Sequence, residues 1–551
     1  MGNVPLRMDR ESQGRFRRCP SARYCPDAGT PYGIPVHTAD WLVFAAYIAF
    51  LGVGGWVVGR KAKDAREYFV GDQGMPAWAV ALSVLASALS VASFLGLPEQ
   101  AYGGNLTFLA SNIGTVLAVL FVAWIFVPAF YRERVVTVYD LLNTAFGPRA
   151  RAGASATFLL GRALASGARL FMAALPAGMI VAGAGMSGTN DHAILIAIAL
   201  LAALAVVYTL AGGITSIIWT DVAQFAVMIA AVVGAIAVLL MRIPIGGAGI
   251  VQALTADKPD VFTVIDTSTD PARVNTLWTS LSGFLLFSLA VYGTDQDLSQ
   301  RMLTCRNAVA GGASALMAIA LNLPVTLLFL TLGLLLRVYY HLPAVMGAAA
   351  PAQTPGPGQQ AFLVFIMSDL PAGLGGLLLA GLVAVGFTSL LSALNAMAAT
   401  ALNDWYRPLL PGKTDAHYLA AGRWAVAGAG VVLAVVAMGC VYWQRAVGDG
   451  LINFALGVMV VPYAGLLGVF LTALLTRRGN EVSAIAALAT GMVVTLAMQP
   501  WAWPTLTAAW AAMVPMHPLP VKALAYPWLM VVGTGAAFAV CCAGRRRVRA
   551  V

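Results

Sequence analysis

Charge is what this chain has little of. Asp, Glu, Lys and Arg make up 10% of its 551 residues, against about 25% in a soluble globular domain. A soluble protein of this length must cover its surface with polar side chains, and this composition cannot. Apolar residues account for 60% and the mean hydropathy is +0.81, so a soluble enzyme and a disordered chain are both excluded. Histidine is scarce as well: His37, His192, His341, His417 and His517 stand alone, without a second ligand at metal spacing. There is no GxxxxGK(S/T) phosphate loop and no GxSxG nucleophile elbow. The six cysteines form no disulfide framework. Cys305, Cys440, Cys541 and Cys542 fall in or beside apolar runs, where cysteine behaves as a small buried hydrophobe. Cys19 and Cys25 share the N-terminal tail and are the pair placed to join outside the cell.

What the chain does have is long apolar runs. Each run of about 20 residues can cross a bilayer as a helix, and thirteen are read, near 39–59, 76–97, 106–130, 153–183, 192–212, 216–240, 276–298, 308–337, 371–402, 420–443, 449–475, 482–499 and 521–543. Runs of this length exclude an outer-membrane barrel, which is built from short alternating segments. The segment 361–370 is apolar but short, and reads as an outer half-helix leading into the ninth span. The fold class is therefore an all-α polytopic membrane protein with about thirteen transmembrane helices. The net charge of +10 does not point to nucleic acid, because the basic residues are scattered between apolar runs. With the N-terminus outside, nineteen Lys and Arg fall in the inner loops and tail and six in the outer loops and outer helix ends, which places the C-terminus in the cytoplasm. The expected location is the inner (plasma) membrane, with the lipid bilayer as surroundings and no protein partner evident. The tail 1–38, with six arginines on the outer side, departs from that rule and reads either as disordered or as preceding a later translation start; 544–551 is a basic cytoplasmic tail. No soluble segment is long enough to carry chemistry. Transport leads catalysis.

Polar groups inside the apolar runs are the candidate machinery, since they are costly in lipid and face a cavity or a neighbouring helix. Ser87, Ser90 and Ser93 recur at every third position and share a helix face. Thr388, Ser389, Ser392 and Asn395 form a second cluster. Either set serves as hydrogen-bonded glue between helices or as ligands: a bound Na⁺ is satisfied by roughly five or six oxygens without strong negative charge. Three charges stand inside spans. Asp221 is near the inner end of its helix, where solvation or capping also accounts for it. Arg162 is open to snorkelling, whereas Arg169 lies well inside its span. An arginine fork suits a carboxylate, and neutralising a nearby carbonyl set is the plainer alternative.

At these residues the chain resembles the sodium/solute symporter family, nearest the branch that carries monocarboxylates, vitamins and iodide. The likeness is carried by LSVLASALSVASFLGLPEQAYGGN, by GGITSIIWTDVAQ, by SLAVYGTDQDLSQRMLTCRN and by TSLLSALNAMAATALND, with a looser match in PYAGLLGVFLTALLTRRGN. It spans about residues 39–500 and implies a LeuT-type fold, an inverted repeat of five plus five helices. The repeats are then expected at 76–240 and 276–475, with an extra N-terminal helix at 39–59 and two additional helices at 482–543. The first helix of each repeat is expected to break near mid-membrane, in the first repeat around Ala86 to Ser90.

Position by position, the resemblance implies a shared Na⁺ site made of the backbone carbonyls of Ala86, Leu89 and Val385 and the hydroxyls of Thr388 and Ser389. A second Na⁺ site, present in some members, would use Asp221 and Ser392; Leu391 stands where a further hydroxyl is usual. The substrate site is expected at Arg169 with Ser90, Ser93 and Ser288. Ala88, Ser93 and Val291 replace the polar and gating side chains of sugar-carrying members, so a sugar is disfavoured. The implied function is Na⁺-coupled symport of a small organic anion, a carboxylate, by alternating access. The alternatives are a proton-coupled carrier on the same scaffold and a transporter-like sensor.

Overall fold

The computed structural model describes residues 68–545, except 70, 72, 183–190, 352–353, 357–359, 372, 448–450, 501 and 514–523, together with Leu42, Val43, Ala46 and Ala49 of the first apolar run. Cys19, Cys25 and most of the 39–59 span lie outside the described residues. Among those described, eight helices are long and apolar enough to cross a membrane, or ten when each of two bent pairs is taken as one span. In chain order the elements are the bent pair α1 (Ala77–Ala88) and α2 (Val91–Gly103), α3 (Thr107–Arg132), α4 (Pro148–Ala182), α5 (Asp191–Leu210), α6 (Gly213–Arg242), the bent pair α7 (Leu277–Gly293) and α8 (Gln296–Leu303), α9 (Ala308–His341), the short α10 (Ala361–Ser368), α11 (Leu374–Leu409), α12 (Asp415–Val447) and α13 (Leu451–Leu475). Two shorter apolar helices follow, α14 (Glu481–Ala497) and α15 (Tyr526–Cys542). The outer half-helix of the sequence reading is α10. Among the short helices not anticipated are Asp140–Phe146, Gly247–Asp257 and Trp503–Met513.

Burial sorts these helices into an inner and an outer set. The most apolar stretch of α11 is 94% enclosed by protein, whereas those of α6 and α12 are 39% enclosed. Exposed Trp124, Leu200, Val207 and Val435 present the apolar surface that lipid requires. Where helices approach closely, glycine permits it. A Cβ on Gly333 of α9 would lie 2.1 Å from the Pro98 carbonyl oxygen of α2, and one on Gly114 of α3 would lie 1.9 Å from that of Ser280 on α7. The α5–α6 junction turns at Gly213, whose φ of 66° is open to glycine at little cost. Leading into it, the Tyr68 hydroxyl donates to the Thr209 carbonyl.

The two breaks decide where a site can form. α1 and α2 meet at 64°, and α7 and α8 at 55°. No proline lies at either junction. Both are made by caps. Ser90 is extended (φ −134°, ψ 171°) and its hydroxyl accepts from the Ser93 N–H at 3.4 Å, starting α2 afresh. Asp295 is extended too, and its carboxylate accepts from the Asp297 N–H at 2.8 Å, starting α8. Serine and aspartate at an N-cap are a local signal, legible in S-V-A-S and D-Q-D, that the sequence reading passed over.

Candidate functional site

The α1 break frees backbone acceptors. The Leu89 N–H closes the last turn on Leu85 at 3.0 Å, and beyond it the carbonyls of Ala86 and Leu89 stand outside the helical ladder. On the facing helix α11, Thr388, Ser389, Ser392 and Asn395 are each 1% exposed. Among the described residues the Thr388 hydroxyl has no hydrogen-bond partner although it is buried. An orphaned buried hydroxyl is costly, and here it lies among the residues the resemblance implies for a cation. Those residues suit Na⁺: neutral hydroxyls and carbonyls with no carboxylate. Val385 differs from Ala86 and Leu89 in lying within the unbroken α11, so its carbonyl offers a second lone pair and not a freed one.

In the same region, with Arg162, Asp295, Asp297 and Tyr463 lining the cavity beside the break, is an arrangement the sequence reading did not assemble. Arg162 donates to Asp295 at 3.0 Å and also pairs with Asp297. Arg301 pairs with Asp297 and reaches Asp221 at 3.0 Å. The Tyr463 hydroxyl donates to Asp295. Ser83 donates to Asp221 at 2.5 Å and accepts from Arg301 at 2.7 Å. The three carboxylates and two arginines are all buried. Such a ladder is stable only if every member is paired. Arg162 is therefore no snorkelling residue: it is 4% exposed and held at both ends of its guanidinium. Arg301, one of the nineteen basic residues assigned to the inner side from the sequence, is fully buried. Asp221, read as open to solvation or capping, is 0% exposed and ion-paired. The signal was present in T-D-Q-D-x-x-Q-R, where two acids and an arginine sit beside an apolar run. The same motif fastens its surroundings: Gln296 accepts from the Val138 N–H at 2.8 Å, and Gln300 donates to the Phe69 carbonyl.

Ser392 belongs to this ladder. Its hydroxyl lies 3.3 Å from an Asp297 oxygen, 3.2 Å from the Thr388 carbonyl and 3.5 Å from the Ser87 hydroxyl. Asp221 and Ser392 are thus joined through Arg301 and Asp297 and not by a direct contact.

Beside the break is a cavity of about 180 Å³. Ser90, Ser93, Arg169 and Ser288 all line it, whereas Thr388, Ser389, Ser392 and Asp221 do not. Ser288 is hydrogen-bonded to Thr115 at 2.8 Å, and Asn322 donates to Asn112 at 2.8 Å, giving the lining a set of neutral polar groups of which the sequence reading named only Ser288. Phe108, Phe287 and Tyr463 supply apolar surface. Arg169 is the link between the cavity and α11. One arm of its guanidinium donates to the Ser389 hydroxyl at 3.1 Å, and the other meets the Met459 sulfur at 3.5 Å. Among the described residues it has no ion-pair partner, because Asp295 and Asp297 are already taken by Arg162 and Arg301.

Residues 68–491 match the model of the sodium:solute symporter family. The chain is 26% identical to the sodium/sialic acid symporter NanT of Aliivibrio fischeri over 84% of its own length and 87% of that protein's. It is 27% identical to the human sodium/iodide cotransporter over 83% of the chain and 69% of that protein. It is also 27% identical to the bovine sodium-coupled monocarboxylate transporter 2, over 83% of the chain and 71% of that protein. Its fold is similar to the solved structure of a Na⁺-coupled sialic acid symporter in a substrate-bound outward-open state, with a TM-score of 0.75 at 21% identity, covering 92% of this chain and 98% of that one.

Proposed function

Because the chain belongs to the sodium:solute symporter family, we propose that its cargo is a small organic carboxylate, held by Arg169 and driven by Na⁺ bound between the α1 break and α11. The observation that carries this reading is the unpaired guanidinium of Arg169 on a cavity wall. Five N–H donors meet one hydroxyl and one sulfur there, and a guanidinium with donors to spare and no ion-pair partner among the described residues favours a carboxylate guest. The cavity favours a small one, since about 150 Å³ accommodates a benzene-sized ligand. Ser93, Ser288, Asn112 and Asn322 supply hydrogen bonds for a polar group at some distance from the carboxylate. Relatives named for sialic acid and for monocarboxylates agree with an anion.

The transport cycle follows from a LeuT-type fold. Na⁺ on the carbonyls of Ala86 and Leu89 and the hydroxyls of Thr388 and Ser389 ties α1 to α11. That fixes one arrangement of the bent helices, and cargo binding allows closure and opening to the other side. The two ligands help each other by the same factor, as linkage requires. The repeats are taken as 76–240 and 276–475, since the bent pairs α1–α2 and α7–α8 stand at the head of each. In the plasma membrane, with the C-terminus cytoplasmic, Na⁺ enters from outside. Arg301 and Ser83 hold Asp221 through Oδ2, leaving Oδ1 without a partner among the described residues, but Ser392 faces Asp297 and not Asp221, so we take the stoichiometry to be one Na⁺ per anion.

A thermal-shift screen of the purified protein against small carboxylates tests the reading, run in Na⁺ and in choline. Stabilisation grows as RT ln(1 + [L]/Kd). The expected result is an anion that stabilises only when Na⁺ is present. Equal uptake into proteoliposomes after Na⁺ is replaced by choline would refute the coupling.

A further inference from the structure

Ser389 has two claimants. Its hydroxyl belongs to the neutral oxygen set assigned to Na⁺, and it accepts from Arg169 at 3.1 Å. Its neighbour Thr388, buried with it, has no partner at all. Half of the hydroxyl pair is therefore engaged by a guanidinium, and half is vacant of any partner among the described residues. An alkali cation and an arginine arm on one oxygen would stand within roughly 5 Å of each other, where low dielectric leaves their repulsion largely intact. The two do not share the oxygen comfortably. Arg169 also has an alternative position, because its guanidinium already forms part of the cavity wall.

We propose that Arg169 is a tethered cation that competes with Na⁺ for Ser389 and so couples the ion to the cargo. This rests on the assignments made above: Thr388 and Ser389 to Na⁺, and Arg169 to the carboxylate. With neither ligand bound, the guanidinium rests on Ser389. Na⁺ displaces it into the cavity, where its freed N–H groups form a fork for a carboxylate. A carboxylate arriving first draws the same guanidinium off Ser389 and opens the hydroxyl to Na⁺. Each ligand thereby removes the obstacle to the other, and the coupling is reciprocal through a single side chain. Arg162 cannot play this part, since both its arms are fixed on Asp295 and Asp297.

The test needs no anion. The full-length purified protein is titrated with Na⁺ against choline at constant ionic strength, and its tryptophan fluorescence and thermal midpoint are followed. Arg169→Met and Arg169→Gln are each expected to lower the Na⁺ half-saturation by about five-fold, the lower end of usual coupling factors. In a Ser389→Ala background the same changes are expected to do nothing, because the contested oxygen is gone. Unchanged or weaker Na⁺ binding in both Arg169 variants overturns the competition. So does an equal tightening in the Ser389→Ala background, which would reduce the effect to loss of a nearby charge. Thr388→Ala and Ser389→Ala by themselves separate this from the parent reading. If neither weakens Na⁺, the ion site is misplaced and the competition falls with it. If both weaken it while the Arg169 variants do not, the ion site stands and the competition alone fails.

Discussion

Asp297 is the place where the buried ladder can be tested most sharply. Among the described residues it is the one carboxylate that serves both buried arginines, pairing with Arg162 and Arg301 and accepting from Ser392 at 3.3 Å. Its side chain is 2% exposed, and those of Arg162 and Arg301 are 3% and 0% exposed. With Arg169 included, Asp221, Asp295 and Asp297 balance three arginines in this region. Asp297→Asn keeps the shape and removes one negative charge, leaving an excess positive charge in the protein interior. Breaking a buried pair from one side costs about 3–5 kcal/mol. At about 2.1 cal/mol/K of unfolding entropy per residue, that lowers the thermal midpoint by roughly 3–4 °C for a chain of this length. Arg162→Met is expected to cost a similar amount. The double variant removes one charge of each sign and so restores the balance that either single variant upsets. Its midpoint is therefore expected well above the sum of the two losses. The assay is the midpoint of monodisperse protein by size-exclusion after heating in detergent, for wild type, both singles and the double. Additive losses, or an Asp297→Asn midpoint equal to wild type, would falsify the ladder as a charge-balanced unit.

The other expectations follow from the same geometry. Ser389→Ala and Thr388→Ala should each raise the Na⁺ half-saturation of uptake about ten-fold, or about 1.4 kcal/mol, and the double change should raise it further; an unaltered value would remove both from the site. With one Na⁺ per monoanion no net charge moves, so a potential imposed by a K⁺ gradient and valinomycin should leave accumulation unchanged. Two Na⁺ would add about 2.3 kcal/mol per 100 mV, and a steep dependence on potential would restore the site at Asp221 and Ser392. Gly333→Ala places a methyl 2.1 Å from the Pro98 carbonyl, so overpacking of about 1–3 kcal/mol should reduce the yield of folded protein. Gly439→Ala, with open space around it, is the control that should not.

Composition and periodicity by themselves determined that the chain is a bundle of membrane-spanning helices. A bilayer accepts little else, and runs of apolar residues report directly on that solvent. Sequence also placed the candidate oxygens at Thr388 and Ser389 and singled out Arg169, because a polar group in an apolar run is conspicuous wherever it points. It could not say who partners whom. Asp295, Asp297 and Arg301 sit beside an apolar run, where a charge reads as solvated, and only the packing of α4, α6 and α8 seals them against Arg162 and Asp221. Arg162 and Arg169 are seven positions apart on one helix face, yet one is ion-paired and the other is not. That difference is made by residues more than a hundred positions away along the chain. Solvent preference is local and written residue by residue, whereas charge compensation is a property of neighbours in space, which exist only once the helices have packed.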